Sequence, residues 1–260
     1  MSRTLAVVMA HPDDDTFGCS GTVALHAGDP SFRFVLVHAT RGEAGQIAEG
    51  SGASRATLGA VREQEDRRSW VALGREPDRH GWLGYPDGGL ADAPFDALVD
   101  RIASILAEER PDVVITFGPD GVTAHTDHIT VGTAATDAFR RCRAADPRAF
   151  RRLLHQAIKS SDIDRWNQRL IAAGKEPIDP TQVYSPRGVP DETIGVDVDC
   201  SAVIDRKFAA LREHRTQASD VDAFGEADMR EALAHETHVI AWPERDVGGP
   251  PLGDVFAGLD

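Results

Sequence analysis

The chain's fold is decided by LAVVMAHPDDD, residues 5–15, where an unbroken apolar run passes directly into a polar loop. Such a run is typical of a parallel strand buried on both faces, and the proline and aspartates after it favour a turn. Comparable apolar runs occur at 34–38 (FVLVH) and 113–117 (VVITF), and a shorter strand is predicted at 79–83. These segments form the predicted sheet.

Helical patterns separate the strands. Apolar residues recur at helical spacing in the segments 17–26, 54–73, 94–106 and 125–142. Regular alternation of strand and helix predicts an α/β protein with a Rossmann-like, mostly parallel sheet and helices on both faces. Because the sequence shows neither an internal repeat nor a linker, we interpret residues 1–260 as a single domain.

The second half of the chain is less regular. We expect a strand at 194–198, a helix from about 199 to 215, a short helix at 226–234 and a terminal strand at 237–242. Residues 148–190 resist assignment apart from a helix expected around 151–159. Residues 244–260, which include Gly248-Gly249-Pro250-Pro251, are expected to form a loose tail.

The composition of the chain argues against several classes of function. The 28 basic and 42 acidic residues give a net charge of −14, which disfavours nucleic-acid and membrane-surface partners. The three cysteines, Cys19, Cys142 and Cys200, form no C-x-x-C pair, so neither a disulfide framework nor a thiolate metal site is expected. No signal peptide or transmembrane run is recognisable, and the expected location is cytoplasmic. The sequence leaves open whether the chain forms a homo-oligomer.

Two polar clusters carry the chemistry. His11, Asp13 and Asp14 follow the first strand, and an H-T-D-H sequence at 125–128 follows the fourth. In parallel α/β sheets, ligands bind beyond the carboxyl ends of the strands, so both clusters face one crevice if these strands are neighbours. Two imidazoles and a carboxylate suit Zn²⁺, which lowers the pKa of a bound water toward ~7.

Each cluster also has a plainer interpretation. An isolated H-x-x-H on a helix is more often a pair of surface histidines than a metal site, and HPDDD could be a solvated turn. Gly18 and Gly21 at a strand-to-helix turn suggest a phosphate-binding loop. However, they lack the G-x-G-x-x-G spacing, and the three acids before them would repel a phosphate. The convergence of both histidine clusters on one predicted edge favours a metal-dependent hydrolase.

The HPDDD segment resembles the H-P-D-D-E signature of the PIG-L (LmbE-like) family of zinc-dependent N-acetylglucosamine deacetylases. The resemblance continues at TRGEAG (40–45), at Arg62-Glu63 and at LGYPDG (83–88), and the family's second motif, H-P-D-H, is similar to residues 125–128. A late family segment is similar to residues 207–217.

The resemblance implies a role for each matching residue. His11, Asp14 and His128 would bind zinc, with Fe²⁺ as the alternative metal. Asp13 would be the general base, while His125 would stabilise the oxyanion and protonate the leaving amine, oriented or charged by Asp127. Arg62 and Asp87 would help to bind the sugar. For these last two the alternatives are an ion pair with Glu65 or Asp66, and a purely turn-shaping role.

The expected reaction is removal of an acetyl or other small acyl group from an amino sugar or its conjugate. Two alternatives stay open: an amidase acting on a thiol or sugar conjugate at the same zinc site, and a non-catalytic metal- or sugar-binding protein. The sequence departs from the family at Asp15, where the signature has glutamate, so the function of this carboxylate is undefined. Thr123 also stands where some relatives carry an aromatic residue.

Overall fold

The computed structural model describes residues 3–218 and 225–259, and in it the first apolar run is an interior strand of a seven-stranded sheet. The strands in chain order are β1 (Arg3–Met9), β2 (Phe32–His38), β3 (Arg79–Trp82), β4 (Val113–Phe117), β5 (Arg152–Gln156), β6 (Ile158–Lys159), β7 (Gly188–Val189), β8 (Val196–Asp199) and β9 (His235–Trp242). The helices are α1 (Asp14–Gly18), α2 (Ser20–His26), α3 (Leu58–Leu73), α4 (Phe95–Glu109), α5 (Thr126–Ala145), α6 (Ser160–Ala172), α7 (Ile204–Leu211) and α8 (Glu226–Ala232).

The main sheet has the strand order β3-β2-β1-β4-β5-β9-β8, and its neighbours are parallel from β3 to β5. The chain builds outward from β1 to β3 and then returns to β4 on the other side of β1. Right-handed crossovers in opposite directions place the connecting helices on opposite faces. Accordingly α4 packs against α5, and α3 packs against α7. The predicted Rossmann-like α/β fold, a single domain with helices on both faces, is confirmed.

The neighbouring position of β1 and β4 is the feature that builds the site. Leu5, Ala6 and Val7 pair in register with Val113, Val114 and Ile115. The side chains of β1 are fully buried from Leu5 to Met9, as expected for a strand covered by helices on both faces. The loops that follow β1 and β4 therefore leave the sheet side by side.

Residues of α7 and β9 stabilise the start of α2. Lys207 of α7 and Glu236 of β9 form an ion pair in which both side chains are fully buried. The Glu236 carboxylate also accepts the backbone N–H groups of Gly21 and Thr22 at 2.7 and 2.8 Å. Because these donors lie in the first turn of α2, a carboxylate from a distant strand satisfies groups that the helix itself cannot.

Two expectations about the second half are wrong. The helix expected around 151–159 is largely strand β5, because Leu153 and Leu154 are buried between β4 and β9 and the tertiary context overrides helix propensity. The tail is not loose over residues 252–259. Leu252 pairs with Val196, and Val255 and Phe256 are buried in the main core.

Cys19, Cys142 and Cys200 are all buried free thiols. None of the described helices combines the length and apolar character needed to cross a membrane.

Candidate metal centre

The two histidine clusters meet at the carboxyl edge of the sheet. The His11 loop follows β1, and His125 is the N-cap of α5, a loop beyond β4. Nδ1 of His11 lies 3.2 Å from Nε2 of His128. Asp14 places one carboxylate oxygen 3.2 Å from that His128 nitrogen and the other 3.4 Å from Nδ1 of His11. Ligands ~2.0–2.1 Å from one tetrahedral metal lie roughly 3.3 Å apart, so the spacing fits a metal ion.

Contacts on the far side of each ring favour one tautomer. Nε2 of His11 lies 3.0 Å from an Asp87 carboxylate oxygen, a contact that favours a ring proton on Nε2 although it lacks the angle of a hydrogen bond. Nδ1 of His128 faces the carbonyl oxygen of Gly121 at 3.0 Å, which places that proton on Nδ1. When both rings are neutral, as metal ligands must be, the two nitrogens that face each other therefore both carry lone pairs. Such an arrangement is repulsive unless a cation lies between them, and a histidine held this way is typical of a metal ligand.

Charge in the cluster agrees with this geometry. Burial alone would raise the pKa of Asp14, but the His128 and His11 rings hold it well below its ordinary value. Burial would lower the pKa of His11, whereas the surrounding carboxylates, Asp127 first among them, raise it well above the ordinary value. The cluster is thus an anionic pocket around two imidazoles, suited to a divalent cation.

His125 has a different function from the other two histidines. One nitrogen each from His11, His125 and His128 lie within 4.8 Å of one another. However, Nδ1 of His125 accepts the backbone N–H of Asp127 at 3.0 Å, so the ring proton lies on Nε2. Burial, and then repulsion from His11 and His128, lower the pKa of His125 to about 4. The hydrogen bond from Asp127 leaves Nε2 of His125 as an N–H donor.

Asp13 is the carboxylate next to the cluster. Its backbone has a φ of 108°, an unusual conformation for a residue other than glycine. One oxygen lies 3.2 Å from Nη2 of Arg62. Burial raises the pKa of Asp13 to about 7, and the Arg62 charge opposes the shift. A carboxylate in this environment can accept a proton near neutral pH.

Arg62 is buried and directed at the backbone of the catalytic loops. Its guanidinium donates to the carbonyl oxygens of Pro12 at 2.6 Å and Gly42 at 3.0 Å. A Cβ added at Gly42 or Gly45 would lie 2.3 or 2.6 Å from Nη1 of Arg62. The glycines of the TRGEAG segment thus leave room for the guanidinium. Among the described residues the charged partner of Arg62 is Asp13 instead of Glu65 or Asp66, and the sugar contact stays a prediction.

Asp87 and Asp127 both bond to the loops around the cluster. Asp87 contacts the outer nitrogen of His11 and accepts the backbone N–H of Ala44 at 2.7 Å. Burial would raise the pKa of Asp87, but the His11 contact lowers it to about 2. The prediction that Asp127 orients or charges His125 stays a prediction: the Asp127 backbone N–H donates to Nδ1 of the ring, and the Asp127 charge opposes the lowering of the His125 pKa. The Asp127 oxygens accept the backbone N–H groups of Gly88 and Leu90 at 2.8 and 3.1 Å, because α5 begins where the 84–90 loop crosses it.

Asp15 is fully buried behind the catalytic loop. Its Oδ1 accepts the backbone N–H of Asp13 at 3.2 Å and lies 3.2 Å from Nε2 of His38. The next residue, Thr16, places its hydroxyl 3.0 Å from Nε2 of His214 in the late segment. Asp15 therefore supports the unusual backbone at Asp13 instead of facing the cluster.

Tyr184 is a residue near the site that the sequence did not predict. Its ring centroid lies 4.9 Å from that of His125, and the residue is 67% exposed. The backbone N–H groups of Tyr184 and Arg187 donate to the carbonyl oxygens of Thr123 and Val122 at 3.0 and 2.8 Å. An aromatic ring thus reaches the second motif from residues 148–190, a segment in which no motif indicated it.

A parallel α/β sheet whose edge presents two imidazole lone pairs, a carboxylate ligand and a buried second carboxylate defines the metal-dependent hydrolase class of site. Comparison with known sequences agrees. Residues 6–139 match the PIG-L family, described as GlcNAc-PI de-N-acetylase. The chain belongs to this family, which confirms the resemblance in its motifs.

The relatives extend over the whole chain. A 1D-myo-inositol 2-acetamido-2-deoxy-alpha-D-glucopyranoside deacetylase from Rhodococcus jostii strain RHA1 is 30% identical, covering 99% of this chain and 98% of that protein. Among solved structures, the N,N'-diacetylchitobiose deacetylase from Pyrococcus horikoshii matches with a TM-score of 0.60 and 20% identity, over 92% of this chain and 84% of that one. The 4-carboxy-2-hydroxymuconate hydratase of Pseudomonas putida KT2440 matches with a TM-score of 0.58 and 16% identity, over 94% and 98%. Because the last protein is a hydratase, the fold alone does not determine the reaction.

Proposed function

We propose that this protein is a metal-dependent deacetylase that hydrolyses the acetamide of an N-acetylglucosamine conjugate. The observation that carries the proposal is the convergence of Nδ1 of His11, Nε2 of His128 and the Asp14 carboxylate within 3.2–3.4 Å of one another, with Asp13 beside them. Three protein ligands leave a position for the reaction, as in catalytic zinc sites. We propose Zn²⁺ as the metal; the ligand set also accepts Fe²⁺.

When bound, a divalent metal supplies Lewis acidity toward the amide carbonyl and the attacking water. Asp13 accepts the proton of the water as its oxygen bonds to the acetyl carbon. Arg62 keeps the Asp13 carboxylate in position through its 3.2 Å contact. The charge that develops on the carbonyl oxygen is stabilised by the Nε2–H of His125.

The leaving nitrogen needs a proton when the C–N bond breaks. His125 is poorly suited to supply it, because a second proton on Nδ1 would displace the hydrogen bond from the α5 backbone. Asp13, having taken a proton from water, returns it to the amine nitrogen. The products are acetate and the free amino sugar, and one carboxylate acts first as base and then as acid.

The substrate class is supported by the Rhodococcus relative, whose printed substrate is an N-acetylated glucosamine linked to inositol. Tyr184 lies beside His125 with its ring exposed, and aromatic faces of this kind can pack against a sugar ring. We propose that Tyr184 contacts the sugar or its conjugated group, in place of the aromatic missing at Thr123. The cytoplasmic location and a homo-oligomer stay predictions from the sequence.

The proposal is tested with metal-saturated protein and three amides: the glucosaminyl-inositol acetamide, free N-acetylglucosamine, and a sugar–thiol conjugate with a larger acyl group. We expect fastest acetate release from the first. Preferential hydrolysis of the thiol conjugate would favour the amidase alternative. Metal and sugar binding without release of any acid would favour a non-catalytic protein and contradict the proposal.

A further inference from the structure

A second group of metal-type ligands lies away from the candidate metal centre. His38 ends β2, His80 lies on the adjacent β3, and Asp66 belongs to α3, which covers these strands; we call these three residues the inner cluster. Strand register brings the two histidines together, because Leu36 pairs with His80 and His38 lies two residues further along the same face. His38 and Asp66 are fully buried, and the His80 side chain is 16% exposed.

The spacing within the inner cluster matches that of the candidate metal centre. Nδ1 of His38 lies 3.0 Å from Nε2 of His80, and that His80 nitrogen lies 3.5 Å from Oδ2 of Asp66. One ligand atom from each of the three residues falls within a mutual distance of 4.8 Å. As at the first site, these separations suit ligands around one tetrahedral ion, for which roughly 3.3 Å is expected.

The hydrogen bonds around His38 orient it as a ligand. Its Nε2 faces Oδ1 of Asp15 at 3.2 Å, so the ring proton lies on Nε2 and Nδ1 carries the lone pair. Donation from the outer ring nitrogen to a carboxylate is the usual support of a metal-bound histidine. The Trp82 ring stacks on His38 with centroids 4.7 Å apart and restricts the rotation of the imidazole.

Asp66 supplies the independent indication of a cation. Both of its carboxylate oxygens are buried, and neither makes a hydrogen bond to any residue in the described part of the chain. A buried carboxylate without hydrogen-bond donors is costly. A second acid is close by, since Nε2 of His38 lies 3.2 Å from an oxygen of Asp15 and 3.9 Å from an oxygen of Asp66. A divalent ion would neutralise both carboxylates and complete the coordination of Asp66.

We propose that His38, Asp66 and His80 bind a second divalent metal of the Zn²⁺ class, with Asp15 as the outer carboxylate that holds His38. Asp15 also accepts the backbone N–H of Asp13. The second metal is therefore a structural ion placed behind the catalytic loop, and it gives a function to the one acid at which the HPDDD segment departs from the family signature. The competing arrangement is a direct hydrogen bond from His80 to His38, with a proton shared between Asp66 and Asp15 and no metal.

Metal stoichiometry separates the two arrangements without reference to activity. Full-length protein is stripped with a chelator, reloaded with Zn²⁺, freed of excess metal and analysed by inductively coupled plasma mass spectrometry. We expect two zinc ions per chain in the wild type and one in Asp66→Asn, in His80→Ala and in His128→Ala. His235→Ala is the matched control, because His235 is half-exposed and pairs only with Asp197 among its described ion-pair partners; it should keep two.

The proposal is overturned if the wild type saturates at one zinc ion, or if Asp66→Asn and His80→Ala both retain two. Substitution of a buried residue can unfold the chain, so crystals of the wild type provide a second readout. Anomalous scattering at the zinc edge should give two peaks, one of them within bonding distance of His38, Asp66 and His80. A map with density at the His11 centre alone would contradict the proposal.

Discussion

Substitution of Gly42 tests most directly whether Arg62 holds the loops beside Asp13 in place, because the Cα of Gly42 faces the Arg62 guanidinium. A Cβ at Gly42 would lie 2.3 Å from Nη1 of Arg62, and its φ is +65°. Gly50 has a similar φ of +76° but no neighbour within 4 Å of its added Cβ. Gly45 meets Arg62 at 2.6 Å without a positive φ. The three alanine variants therefore separate backbone strain from collision with Arg62.

The expected losses of stability and of reaction rate follow from these differences. Alanine in the left-handed region costs roughly 1–2 kcal/mol, which is the whole effect expected for Gly50→Ala. In Gly42→Ala the buried guanidinium must also move, and losing hydrogen bonds from a charged group adds roughly 1.5–3 kcal/mol. Displacement of Arg62 frees Asp13, and misplacing a catalytic group by about 1 Å costs on the order of 10²-fold in rate. Gly45→Ala should lose as much rate as Gly42→Ala but should lose less stability.

Urea unfolding measures the stability of each variant, and acetate release from the glucosaminyl-inositol acetamide by metal-saturated protein gives kcat/KM. We expect kcat/KM to fall strongly in Gly42→Ala and Gly45→Ala and to be nearly unchanged in Gly50→Ala. If Gly42→Ala and Gly50→Ala lose the same stability and both keep full activity, the argument that Arg62 positions Asp13 is refuted.

Three further predictions concern other parts of the molecule. His125→Ala should lower kcat by about 10²–10³-fold with metal content unchanged, because His125 donates a hydrogen bond but does not bind the metal; loss of metal would contradict this. Tyr184→Ala should raise KM by roughly 2- to 12-fold, from about 0.5–1.5 kcal/mol of aromatic contact, whereas the exposed neighbour variant Val183→Ala should leave KM unchanged. For Glu236, burial would raise the pKa but the Lys207 charge lowers it below the ordinary 4.5, so the carboxylate contributes stability above that pH that is lost on further acidification. Glu236→Gln should cost about 3–5 kcal/mol at pH 7 and flatten the acid limb of the stability curve; an unchanged limb would exclude this linkage.

The sheet and the meeting of the two motifs could be predicted because they depend on local patterns. An apolar run such as that of β1 reads as a buried strand wherever it occurs, and parallel strands present their following loops at one edge. This logic was enough to bring His11 and His128 to one crevice. It could not reveal β5, whose sequence is compatible with a helix until its neighbours β4 and β9 bury it.

The partners of individual side chains were harder to predict, because they depend on contacts between distant segments. The sequence offered no sign that Arg62 contacts Asp13 or that Asp87 contacts His11, and the predicted sugar contacts of both residues stay predictions. Tyr184 reaches His125 from a segment without a motif. The inner cluster draws single residues from two strands and a helix, so no spacing in the sequence indicates it. Only Asp15, by departing from the family signature, pointed toward that region.

The central claim is that residues of the first loop have different functions: His11 and Asp14 bind metal, and Asp13 transfers the proton. The most direct test is Asp13→Asn, assayed for acetate release with metal occupancy at the first centre measured in the same preparation. We predict full occupancy and a fall in kcat of about 10²–10⁴-fold, the usual contribution of a general base. Activity near that of the wild type at full occupancy would contradict the account, as would loss of the metal with Asp13.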